Sequence, residues 1–303
     1  MASLRIRESA IPRLDNKVAL ITGGSSGIGL AAAKILASKG ATVHILDINK
    51  PDESELSPEV TDIHFHQCDV ASWEELRAVF DSVGQVDFAF ANAAVTEERN
   101  YFADTFTPEG KLEEPSYGVL HVNLRAVLNF VKLAWSTMRK HQTEGSIVIT
   151  TSATAYAPEQ SLPVYAAGKT ALVGLIRALR SIIIKDNITI NGIAPGATIT
   201  RLLPGHLAAP IMKQGLPVSS SHSVGLALVH SATARQSRMV EVYGKDKPVD
   251  VWTEGRWNGR IILTLGDTYT ELEEALADLR PFWLGRENTR LTHRQQAATD
   301  SRL

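Results

Sequence analysis

Along most of the chain, short apolar runs alternate with longer stretches in which apolar residues recur every three or four positions. Val18-Ala19-Leu20-Ile21 predicts a strand, and Ile28, Ala32, Ile35 and Leu36 predict a helix over Leu30–Lys39 that Gly40 stops. Ala41–Leu46 reads as a strand buried on both faces and ending at Asp47. Further strands are expected at Asp62–Gln67, Val86–Ala94, Gly145–Thr151, Asn187–Ile193 and Arg260–Leu265. Helical spacing predicts Trp73–Val83, Tyr117–Lys140, a helix opened by Pro163 and running to position 184, Val224–Ala232 and a short helix over Tyr269–Leu279. This alternation predicts an α/β fold: one domain spanning residues 1–303, with a doubly wound, parallel, seven-stranded sheet. The rest is punctuation: a tail over residues 1–15, a solvated loop at Pro51–Pro58 and a longer loop at Glu97–Ser116. Thr198–Ser223 reads as a lid, Arg235–Trp257 as irregular, and Pro281–Leu303 as a polar tail.

Composition narrows the classes. Of 303 residues 44% are hydrophobic, enough for a large core, and a formal charge of −2 gives no general attraction to nucleic acid or anionic membrane. No apolar run approaches the ~20 residues of a membrane span. The N-terminus lacks the apolar stretch of a signal peptide. A single cysteine, Cys68, excludes an internal disulfide and fits a reducing compartment.

The chemistry gathers at the predicted strand ends. Thr22-Gly23-Gly24-Ser25-Ser26-Gly27-Ile28-Gly29 joins a strand to a helix, the context in which glycines let a diphosphate approach the backbone at a helix N-terminus. Asp47 follows Gly29 by 18 residues at the next strand's end, where a carboxylate can accept hydrogen bonds from both hydroxyls of an adenosine ribose. Asn92-Ala93-Ala94 ends the fourth strand with small residues. Asn123 lies in the apolar middle of a helical pattern and needs partners there. Tyr165 and Lys169 are four apart on one helical face, with Ser152 at the preceding strand's end; in isolation the pair reads better as a buried tyrosine and a snorkelling lysine than as a site. His64, His66 and Cys68 alternate on one strand face, but no second ligand pair accompanies them and no metal site is expected.

In order and spacing these features resemble the short-chain dehydrogenase/reductases, over about residues 14–268. The matching positions are Thr22 to Gly29, Asp47, Asp69-Val70, Asn92-Ala93-Ala94, Asn123, Ser152, Tyr165 with Lys169, and Pro195-Gly196 with Thr200. Ala94 stands where the family usually has glycine. The segment 233–257 and the tail depart from the common pattern and look closer to fungal members.

The resemblance implies a Rossmann fold, NAD as cofactor and a set of roles. Gly23, Ser25, Ser26, Ile28, Asp47, Asp69, Val70, Asn92, Ala93, Tyr165, Lys169, Pro195, Gly196, Thr198 and Thr200 would bind the cofactor. Tyr165 would exchange a proton with a substrate alcohol or ketone, its pKa lowered by the Lys169 cation. Ser152 would hold the substrate oxygen, and Asn123 a water that relays protons to Lys169. An apolar lid and tryptophans suggest a secondary alcohol or ketone of an apolar, cyclic molecule, and the fungal likeness suggests secondary metabolism. A nucleotide sensor, scaffold or cyclisation catalyst on the same fold is the alternative; loss of the serine, tyrosine or lysine would favour it, and all three are present. The family packs helices 117–140 and 163–184 across a two-fold axis, and here Val127, Val131, Ala171, Leu175 and Leu179 spread apolar surface over more than one face, so a homodimer or homotetramer is expected. The chain ends Ser301-Arg302-Leu303, similar to a peroxisomal address, which leaves peroxisome and cytoplasm both open.

Overall fold

The computed structural model describes residues 3–55, 62–97 and 99–301. Seven parallel strands form the body of one sheet: β2 (Val18–Thr22), β3 (Thr42–Asp47), β4 (Ile63–Gln67), β5 (Phe88–Ala91), β6 (Ser146–Thr150), β7 (Thr189–Pro195) and β10 (Ile261–Leu265). Their spatial order is β10-β7-β6-β5-β2-β3-β4, so the chain reverses its winding between β2 and β5. At such a switch point the two crossovers leave on opposite faces and open a crevice at the carboxyl ends of the strands.

The sheet extends further than the sequence pattern suggested. β11 (Thr268–Glu271) pairs antiparallel with β10, and β1 (Ser3–Leu4) pairs with β11, giving nine strands. The expected helix over Tyr269–Leu279 is therefore half strand, and only α8 (Glu273–Asp278) is helical there. Two residues, Gly266 and Asp267, turn the β10–β11 hairpin, Gly266 with φ +58°. Thr268-Tyr269-Thr270 then carries the β-branched and aromatic side chains that favour a strand. The N-terminal tail is tied down by this pairing and by the buried Ile6, Ile11 and Leu14.

Two apolar layers cover the sheet. On one face α1 (Gly27–Ser38) and α7 (Ser221–Thr233) pack through Ala32, Ile35, Leu36, Val224 and Leu228. On the other, α2 (Trp73–Val83), α4 (Val127–Lys140) and α5 (Pro163–Ile183) bury Leu76, Phe80, Phe130, Leu172 and Ile176. Val127 and Val131 belong to this core, not to a free second face: both are buried against the sheet of their own chain. The apolar residues that α4 and α5 leave exposed are Leu128, Ala167, Ala171, Ala178 and Ile182, while Leu175 and Leu179 are half-buried against the core.

The predicted helix over 117–140 is interrupted. It opens as α3 (Gly118–Leu120), continues as a π-helical segment at His121–Ala126 and becomes α4. A π-helical turn carries one residue more than the α-helix and marks functional sites more often than chance; here Asn123 lies inside it. Other segments gain structure that their composition did not announce. The lid holds α6 (Gly205–Lys213), with Pro210 inside it. Segment 235–257 contains a two-stranded ladder of β8 (Arg235–Gln236) and β9 (Gly255–Arg256). The polar tail forms α9 (Arg280–Trp283) and α10 (Arg286–Ala298). No helix among the described residues is long and apolar enough to cross a membrane.

Candidate active site

The glycine turn leaves β2 with Gly23 and Gly27 at positive φ, +64° and +52°. Close packing forbids side chains here: a Cβ on Gly23 would lie 2.8 Å from the Ala93 Cα, and one on Gly29 only 2.2 Å from the Gly23 carbonyl oxygen. The backbone itself therefore forms the wall. Thr22 and Asn92 brace it. The Thr22 hydroxyl accepts hydrogen bonds from the amides of Asn92 and Ala93 at 3.0 and 3.1 Å. The Asn92 amide donates to the carbonyls of Thr22 and Gly23, and its oxygen accepts from the Thr150 hydroxyl. One asparagine thus locks the ends of β2, β5 and β6 together.

A cavity of about 850 Å³ runs across these strand ends. It brings together Gly23, Ser26, Ile28, Asp47, Asp69, Val70, Asn92, Ala93, Ser152, Tyr165, Lys169, Pro195, Gly196, Thr198 and Thr200, residues far apart in the sequence. At one end the Asp47 carboxylate accepts from the amides of Ser25 and Asn49, both at 3.2 Å. At the other end the Lys169 ammonium, almost wholly buried, donates to the Thr150 carbonyl at 2.8 Å and stands 5.6 Å from the centre of the Tyr165 ring.

Two expected site residues lie outside the cavity. Ser25 is fully buried beneath the turn, its hydroxyl without a partner among the described residues, and only its amide reaches Asp47. Asn123 is fully buried behind Val95: its amide nitrogen donates to the Val95 carbonyl at 2.7 Å and its oxygen accepts from the Val95 amide at 2.9 Å. The side chain is committed to the backbone of the strand-end loop. A relay water at this position would have to use a main-chain carbonyl of the π-helical segment.

Protonation also differs from the expectation. Burial raises the Tyr165 phenol above its ordinary value, opposed by a hydrogen bond from Ser152, and burial pushes the Lys169 ammonium down to about 8. Burial is the largest influence on both groups, and on balance the phenol is raised. The Lys169 cation sits beside the ring and spends a hydrogen bond on Thr150, and the same desolvation that weakens its own charge penalises a phenolate.

Sequence reasoning missed three charged residues around this site, one of them Glu159 in the cavity wall. Glu97 accepts a hydrogen bond from the Tyr165 amide, and Arg201 lines the cavity from the lid. Glu97 had one local signal: the helix at Pro163 opens with no capping side chain of its own, since its N-cap is Leu162. Cys68 also lines the cavity, but burial and the neighbouring Glu75 and Asp69 push its thiol up to about 12, so it is not a nucleophile. On β3 and β4, His44 bonds His66 and stacks on His64. Among the described residues no group of three or more histidine, cysteine or carboxylate side chains has the geometry of a metal site.

The short chain dehydrogenase model matches residues 17–208, the stretch that carries every catalytic position named above. The chain is a short-chain dehydrogenase/reductase. Its relatives include the short-chain dehydrogenase/reductase prx4 of Penicillium roqueforti, 57% identical over 302 residues that cover all of this chain and 90% of prx4. The short-chain dehydrogenase/reductase ATR7 of Stachybotrys chlorohalonatus is 50% identical over 310 residues, covering 100% of this chain and 95% of ATR7. Among solved structures, a 3-ketoacyl-(acyl-carrier-protein) reductase from Brucella melitensis complexed with NADH superimposes with a TM-score of 0.65 at 22% identity, over 84% of this chain and 98% of that one. A proposed NAD(P) dependent gluconate 5-dehydrogenase from Beutenbergia cavernae with bound NADP gives 0.59 at 26% identity, over 73% and 90%. Members of the family use nicotinamide cofactors, and the residues present fit one. The side-chain-free glycine wall at the α1 N-terminus would hold the diphosphate, Asp47 would meet a ribose, and Ser152, Tyr165 and Lys169 close the far end of the short-chain dehydrogenase/reductase cavity.

Proposed function

We propose that the protein is an NAD-dependent oxidoreductase acting on a secondary alcohol or ketone of an apolar, cyclic small molecule. One observation carries this reading: Ser152, Tyr165 and Lys169 converge at the end of the cavity whose other end is the glycine turn and Asp47. The bound nicotinamide would supply or accept the hydride. Ser152 holds the substrate oxygen against the Tyr165 phenol. Tyr165 gives that oxygen its proton in reduction and removes it in oxidation. Lys169 sets the charge beside the phenol and is placed to reach the nicotinamide ribose.

Val95, Val122, Leu162, Leu202 and Leu203 line the substrate side, which supports an apolar ligand. The likeness to fungal prx4 and ATR7 supports a role in secondary metabolism. For assembly we propose a homodimer or homotetramer through α4 and α5, now resting on Leu128, Ala171 and Ile182. For location, cytoplasm and peroxisome remain the two proposals; Arg302 and Leu303 of the C-terminal tripeptide lie outside the described residues.

Following reduced-nicotinamide absorbance with a panel of cyclic ketones, with NADH and NADPH in parallel, tests the reading. Turnover that Tyr165→Phe lowers at least ~100-fold while NADH still binds is the expected result. Turnover that survives the substitution would refute the role given to Tyr165.

A further inference from the structure

Arg201 occupies an unusual place. Thr198 to Leu203 forms the first turn of the lid: the Thr200 hydroxyl accepts from the amides of Leu202 and Leu203, and the Thr200 amide bonds back to the Leu203 carbonyl. That turn is pressed against the mouth of the glycine loop, since a Cβ on Gly27, the first residue of α1, would lie 3.1 Å from the Thr200 methyl. Arg201, at the tip, lines the cavity together with Gly27, Ile48 and Asn49. It is exposed, and among the described residues no hydrogen bond or ion pair holds its guanidinium. Its charge is felt across the opening at Asp52, where it helps hold the carboxyl below its ordinary range after the larger effect of Ser54. Here, then, is a cation on the lid without a hydrogen bond or ion pair among the described residues, lining the same cavity of about 850 Å³ as Gly27 at the α1 N-terminus.

An arginine presents a planar fork of donors that matches phosphate oxygens. We propose that Arg201 is the lid's phosphate-binding residue, its guanidinium closing onto the diphosphate of a bound nicotinamide dinucleotide opposite the α1 amides. The inference rests on the dinucleotide reading of the cavity. It adds a second, movable half to the diphosphate site and couples cofactor binding to the position of the lid. Thr200 seats the turn on Gly27, which favours the diphosphate; Arg201 also lines the cavity with Ile48 and Asn49 and acts on Asp52, so a ribose 2′-phosphate is the competing source of the same chemistry.

Fluorescence titration of NADH and of NADPH against wild type, Arg201→Ala and Arg201→Gln separates these cases without any substrate. The expected result is about a tenfold rise in Kd for both nucleotides in both variants, with a shallower dependence on salt than in wild type. Unaltered melting temperatures would show that the variants fold. An unchanged Kd for NADH overturns the proposal. A loss confined to NADPH also overturns it, by moving Arg201 to the 2′-phosphate. Wild-type protein that binds neither nucleotide sinks the dinucleotide reading itself, a different failure from either of these.

Discussion

Glu97 caps the helix that carries Tyr165. Its carboxylate accepts a hydrogen bond from the Tyr165 main-chain amide at 2.5 Å, across 68 positions of sequence. That amide belongs to the third residue of α5, one of the donors that a helix leaves unpaired at its start. Two residues before Glu97, Val95 is gripped through both its amide and its carbonyl by Asn123. Val95-Thr96-Glu97 is therefore a strap between the π-helical segment and the catalytic helix, and Val95 and Thr96 line the cavity. Asn123 acts on the site through this strap.

Glu97→Ala removes the cap and leaves the cofactor half of the cavity untouched. Loss of a cap costs about 1 kcal/mol, to be read as a lower urea midpoint. Turnover should fall further than that stability change suggests, with the Kd for NADH unaltered, because the first turn of α5 carries the phenol. Glu97→Gln keeps an acceptor oxygen and should restore most of the activity. Equal turnover by the alanine variant and the wild type would show that the strap positions nothing.

Lys169 shows a conflict between stability and chemistry. The unfolded chain holds this proton up to about the ordinary lysine value of 10.5, the folded chain only up to about 8. Below pH 8 both states are charged, and burial costs the fold about 3 kcal/mol. Between 8 and 10.5 the unfolded state binds more protons, so this penalty fades and stability rises with pH. Lys169→Met should therefore be at least as stable as wild type at pH 7, should lose the rise above pH 8, and should lose turnover. Denaturant titrations at pH 7 and 9.5 check the first two, and a destabilised methionine variant at pH 7 would contradict the assigned penalty.

The positions legible in the sequence are those whose chemistry is local. A glycine turn between strand and helix, an acid at the next strand end, and a tyrosine and lysine one turn apart each announce themselves within a few residues. Glu97 and Arg201 do not: they stand three residues after Ala94 and one after Thr200, but Glu97 meets Tyr165 across 68 positions of sequence and Arg201 meets Gly27 and Ile48 only once the strand ends are assembled. β11 was hidden for another reason: the alternation in Thr268-Tyr269-Thr270-Glu271 is short and leads directly into a helical pattern, so the longer period masked it. The depth of Ser25 and the partner of the buried Asn123 could not be read either, since a motif gives identity at a position but not the direction of a side chain.

The histidines of β3 and β4 make the fold sensitive to acid. His44 is pushed down to about 4 by burial and by His66 and His64, against a smaller opposing pull from Asp62; burial also lowers His66. Above pH 6.5 both folded and unfolded states leave His44 neutral. Between 6.5 and 4 the unfolded chain takes a proton that the folded chain refuses, so stability falls as pH falls. His44→Leu removes the site and should flatten the drop in melting temperature from pH 6.5 to 4.5. Parallel curves for variant and wild type would mean that other groups govern the acid limb.

The proposed preference for NAD turns on Asp47. One carboxylate oxygen is bonded to the Ser25 amide of the glycine turn and the other to the Asn49 amide, so the side chain is fixed at the cavity edge with its remaining lone pairs free for ribose hydroxyls. A 2′-phosphate there would meet a carboxylate at close range, a like-charge clash that disfavours NADP(H). The adjacent Ile48 is exposed and offers no compensating charge. If Arg201 acts on the diphosphate as proposed, it would strengthen both nucleotides alike and leave the preference to Asp47. The expected kcat/KM with NAD(H) exceeds that with NADP(H) by at least ~10-fold, each factor of ten being ~1.4 kcal/mol. Asp47→Ala with Ile48→Arg should narrow or reverse the ratio, because the double change removes the repulsion and adds a phosphate-binding fork. Wild-type protein that uses NADPH as well as NADH would show that the carboxylate turns toward its own loop in the bound state and does not read the ribose.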